Sequence, residues 1–97
     1  MNATTVKAII LAIEAQNTLL ERSKIYDKDV IPSDAVAQIM RILFPNGLNN
    51  NTRDGTEYKY VLHIVDKLCR FRLNRKKDNI IDLSNYAFLL GSDFGEE

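Results

Sequence analysis

Apolar residues recur along this chain with a helical period. Val6, Ile9, Ile10 and Ile13, then Leu19 and Leu20, keep the spacing of one helix face and predict a first helix over residues 4–24. Glu14, Gln16, Asn17 and Glu21 mark its wet side, and Asn2, Thr4 or Thr5 can cap its start. A polar connector then runs to Pro32. Ser33 is the expected N-cap of a second helix, residues 33–44, whose stripe is Val36, Ile39, Met40, Leu43 and Phe44 and whose stop is Pro45-Asn46-Gly47. Beyond an Asn-rich loop, Asp54 and Glu57 have the spacing of a capping box, and a third helix is expected over residues 56–73. It carries one stripe of Tyr58, Val61, Leu62, Val65, Leu68 and Cys69 and a second line of Tyr60, Ile64 and Phe71. Two apolar lines on one helix imply packing on two sides, which favours a dimer or larger assembly. After the basic turn 74–77, a fourth helix is expected over residues 78–90, ended by Gly91 and followed by a frayed acidic tail, 92–97. No strand pattern and no repeat interrupts this reading, which is one all-α domain built as a four-helix bundle.

Composition narrows the partners. With 97 residues there is room for one core, and that core is modest enough to gain from sharing surface with a second copy. Thirteen basic and thirteen acidic side chains cancel, which argues against generic nucleic-acid binding, where affinity comes from excess positive charge. The single cysteine, Cys69, lies on an apolar stripe and reads as core. No apolar run reaches the roughly 20 residues a bilayer span requires. The N-terminus has no basic segment leading into a short apolar core, so the expected location is the cytoplasm of a bacterium or of a phage-infected cell.

The third and fourth helices carry the densest chemistry. His63, Lys67 and Arg70 share a helix face, as do Asp78, Asp82 and Tyr86. A short turn sets the two helices antiparallel, which brings a cationic row towards a pair of carboxylates. Arg and Lys bind phosphate oxygens, and two carboxylates can hold hydrated magnesium bridging those oxygens. Each residue also has a plainer role. Asp78 stands where an N-cap belongs, Asp66 can neutralise Arg70, and His63 suits a hydrogen-bonded place in the core. Tyr86 suits either packing or stacking on a base, and the stretch around Tyr26 either a lid or a connector.

The run Lys67-Leu68-Cys69-Arg70, a polar turn, then Lys77-Asp78-Asn79-Ile80-Ile81-Asp82-Leu83-Ser84-Asn85-Tyr86-Ala87 resembles phage and prophage proteins related to the MazG-like all-α nucleoside-triphosphate pyrophosphatases. Residues 20–26, Leu-Glu-Arg-Ser-Lys-Ile-Tyr, are similar to a Glu-Arg-Gly…Tyr-Gly stretch of the same group. The resemblance implies a dimeric or tetrameric bundle, a nucleotide pocket between helices and magnesium-dependent hydrolysis to the monophosphate and pyrophosphate. It assigns Lys67 and Arg70 to phosphates and Asp78 and Asp82 to ligand or metal; His63 joins the phosphate-binding row through the helix face it shares with them. The chain departs from the wider superfamily in lacking any Glu-x-x-Glu pair and in carrying Asn85 where Gly usually precedes the tyrosine. Two carboxylates in place of four would compensate magnesium poorly. The alternatives are therefore a protein that sequesters a nucleotide intact and a plain oligomeric interaction module.

Overall fold

The computed structural model describes residues 2–22, 32–47 and 52–96. These form four α-helices and no strand: α1 (Ala3–Arg22), α2 (Asp34–Leu43), α3 (Thr52–Leu73) and α4 (Lys77–Phe94). The chain is all-α. Helices α3 and α4, joined by residues 74–76, form an antiparallel hairpin. Helix α1 packs on α4 and α2 packs on α3, so the elements lie in the order α1, α4, α3, α2.

Both apolar lines of α3 find partners within the chain. Val36 and Met40 of α2 bury against Leu62 and Val65, and Phe44, Tyr58, Val61 and Cys69 close around them. The rings of Phe44 and Tyr58 meet edge to face at 5.1 Å. On the opposite side, Tyr60 meets Phe94 of α4 at 6.5 Å and His63 meets Tyr86 of α4. Both sides of α3 are therefore used internally, and its two-sidedness needs no second copy.

Local chemistry sets two of the four described helix starts. The Asn2 side chain accepts hydrogen bonds from the Thr5 backbone N–H at 2.8 Å and from the Thr5 hydroxyl at 2.9 Å, which makes Asn2 the cap of α1. Ser33 Oγ accepts from the Val36 N–H and caps α2 as expected. Three expected boundaries are corrected. Helix α3 begins at Thr52, so Asp54 lies within the helix and not ahead of it, and Gly55 is carried within it at a propensity cost of roughly 1 kcal/mol relative to Ala. Helix α4 begins at Lys77, with Lys76 as an N-cap that makes no side-chain cap bond, so Asp78 is a first-turn residue. There its carboxylate favours the positive helix end. Gly91 does not end α4, which continues through Ser92, Asp93 and Phe94, and Gly95 donates its N–H to the Gly91 carbonyl. Tertiary contacts explain the extension: the Tyr60 hydroxyl donates to Asp93 at 3.2 Å, and Phe94 packs on the Tyr60 ring.

Candidate functional site

The expected row of His63, Lys67 and Arg70 is split by its helix. His63 faces inward, with 3% of its surface exposed, and its ring stacks on Tyr86 at 4.1 Å with 6° between planes. Tyr86 is equally buried, so packing, not base stacking, occupies both rings. Beside them Asn85 of α4 is fully buried.

Arg70 turns the other way. Its Nε lies 3.0 Å from Oδ2 of Asp66, one helical turn back, in a charge contact that lacks hydrogen-bond alignment. Its outer surface borders a hollow at the hairpin end with Leu73, Asn74, Lys76 and Asn79. Lys67 reaches an acid of α4: its Nζ is 3.8 Å from Asp82. Lys67, Arg70, Asp78 and Asp82 differ in their described contacts. They divide into a Lys67–Asp82 pair, an Asp66–Arg70 pair and an exposed Asp78.

What gathers the chemistry instead is the groove between α1 and α4. Its shallow hollow of about 270 Å³ is lined by Glu14, Asn17, Thr18 and Glu21 of α1 and Lys77, Asp78 and Ile81 of α4. At one end Lys77 donates to Glu14 at 3.0 Å. At the other, Arg22 of α1 approaches Asp82 to 4.0 Å, so Asp82 stands between cations from α1 and α3. The spacing Glu14, Asn17–Thr18, Glu21 is visible in the sequence as one helical row. That this row faces the start of α4 is not visible there, and Arg22 and Lys77 carried no local signal. Tyr26 lies outside the described residues.

Magnesium fits this groove poorly. Among the described residues no three His, Cys, Asp or Glu side chains gather closely enough to hold a metal ion, and Asp82 already faces two cations. No described helix is long and apolar enough to cross a membrane. Comparison with protein-family models, curated proteins and solved structures finds no match to this chain.

Proposed function

We propose that this chain is a MazG-like, homo-oligomeric protein that binds the phosphates of a nucleotide and holds them without hydrolysis, in a bacterial or phage-infected cytoplasm. The observation that carries this reading is the meeting of Arg22 and Lys67, from two different helices, on the single carboxylate of Asp82. Each of the two cations shares that one carboxylate at 3.8–4.0 Å and is only partly neutralised by it. Phosphate oxygens recruit that arrangement by exchanging one carboxylate for stronger, charge-assisted bonds. Magnesium, where it takes part, would arrive with the phosphates, since that ion keeps most of its waters and takes only one or two carboxylates.

The test is calorimetric titration with nucleoside mono-, di- and triphosphates and cyclic nucleotides. Binding of at least one class, weakened about tenfold by Lys67→Ala and by Arg22→Ala, is expected. No affinity for any of them removes the reading. The same protein incubated with triphosphates and magnesium separates holding from cutting, because pyrophosphate release would establish hydrolysis. One observation favours that second reading: Glu14, Glu21 and Asp78 border the same hollow.

A further inference from the structure

Helix α1 has two unlike faces. Ala15 is buried, and Leu11, Thr18 and Leu19 around it are half-buried towards α4. Half a turn away, Val6, Ile9, Ile10 and Ile13 form a continuous aliphatic stripe that stays between 43% and 56% exposed. Nothing in the polar groove chemistry calls for four branched aliphatic residues in water. A stripe of this size rimmed by polar residues marks a surface that something covers.

The order of residues identifies the cover. The stripe reads the same in both directions about the midpoint between Ile9 and Ile10. When a second α1 is laid antiparallel across that midpoint, Val6 faces Ile13 of the other copy and Ile9 faces Ile10. The polar residues Asn2 and Asn17 meet at the two ends. A two-fold axis there is self-complementary, as an isologous interface requires. The charged flank agrees. Lys7 and Glu14 lie on the same edge of the stripe, and together they border the apolar hollow that includes Ile10 and Leu11. The two-fold places that edge beside its own copy, with each Lys7 within about one turn of the opposing Glu14. Centring the pair on Ile13 instead would set Ile9 against Asn17 and Ile10 against Gln16, which strands apolar surface on amides.

We infer that the Val6–Ile9–Ile10–Ile13 face of α1 is the contact surface between two copies of this chain, paired antiparallel about the Ile9–Ile10 midpoint. This rests on the homo-oligomeric part of the proposed function and is independent of the nucleotide part. It also gives α1 a second support. Within the chain α1 rests chiefly on α4, yet it supplies Glu14, Glu21 and Arg22 to the groove. A partner helix on its far side fixes the wall that carries them.

The experiment combines sedimentation with cysteine trapping on the full chain. The native protein should sediment as a dimer at tens of micromolar, and Ile10→Glu should weaken dimerisation at least about a hundredfold with unchanged helix content by circular dichroism. Under mild oxidation Ile10→Cys should form a disulfide-linked dimer. Ile13→Cys should not, because in this register the two copies of position 13 stand about 10 Å apart along the axis. The unsubstituted chain controls for Cys69. A monomeric native protein overturns both the surface and the oligomeric reading, and leaves the stripe to a different partner. A dimer that survives Ile10→Glu, or that cross-links through position 13 and not position 10, overturns the surface alone.

Discussion

Helices α1 and α3 are close in length, at 20 and 22 residues, and their fates in the fold are opposite. Helix α3 carries the denser load of charged side chains, yet it is the spine of the molecule, covered by α2 on one side and α4 on the other. Helix α1 is richer in long aliphatic stretches, yet Ala15 is its one buried residue. Hydrophobicity along a helix therefore states how much surface seeks cover, and topology decides whether the chain itself provides it. For α3, the hairpin turn and the α2 return both deliver partners. For α1, the chain delivers one.

The sharpest test of that contrast pairs two truncations. Met40 is 2% exposed in the α2–α3 core, so Met40→Ala should cost about 2–5 kcal/mol in urea unfolding. Ile10→Ala, measured in dilute protein where association is absent, should cost less than about 1 kcal/mol, because its side chain is already half in water. Equal losses would mean that α1 is anchored within the chain as firmly as α3. At high concentration the Ile10→Ala loss should grow, since stability is then linked to association.

A second test addresses Asn85. It is fully buried, so Asn85→Gly removes packing from the seam that α4 makes with its neighbours and adds backbone freedom to a helix. A loss of roughly 2–3 kcal/mol is expected from thermal or urea unfolding. A neutral result would show that the seam closes equally well around glycine.

How much of this was legible in the residues follows the same division between local and distant causes. The helices and the Ser33 cap were readable because periodicity and capping act within a few residues. The Asp66–Arg70 pair was readable as an i, i+4 alternative for the same reason. The end of α4 was not, because Gly91 is a sound local terminator and what carries the helix past it is Tyr60, thirty-three residues from its partner Asp93. The placement of the candidate site residues depends on distant causes in the same manner. Lys67 and Arg70, three apart, were assigned one task, although a helix sends such neighbours in directions that diverge enough for one to reach Asp82 and the other Asp66. Arg22 and Lys77 enter the groove only through how α1 lies on α4, and no local pattern encodes that.

The extension of α4 supplies a third, smaller test. Phe94 is half-buried, and its ring contact with Tyr60 holds the last turn, so Phe94→Ala should cost about 1 kcal/mol and release protection of the amides near the helix end in hydrogen exchange. If those amides stay protected, the last turn is held by Asp93 and the backbone alone.

The smallest effects separate two of the ion pairs that tie α4 to its neighbours. Lys77–Glu14 is the shorter, at 3.0 Å, but its side chains are 64% and 42% exposed. Lys67–Asp82 is longer, at 3.8 Å, with both side chains about one-fifth exposed. Distance alone ranks the first pair higher. Screening reverses the order, because an exposed pair works against high dielectric and must immobilise a long lysine to form. In double-mutant cycles the Lys77–Glu14 coupling should therefore lie below about 0.5 kcal/mol and vanish in molar salt, and the Lys67–Asp82 coupling should be larger, near 1 kcal/mol, and persist. A larger coupling at Lys77–Glu14 would mean that α1 is fastened to α4 at its polar rim, and that the exposed stripe on the far side of α1 has less need of a partner to hold the helix in place.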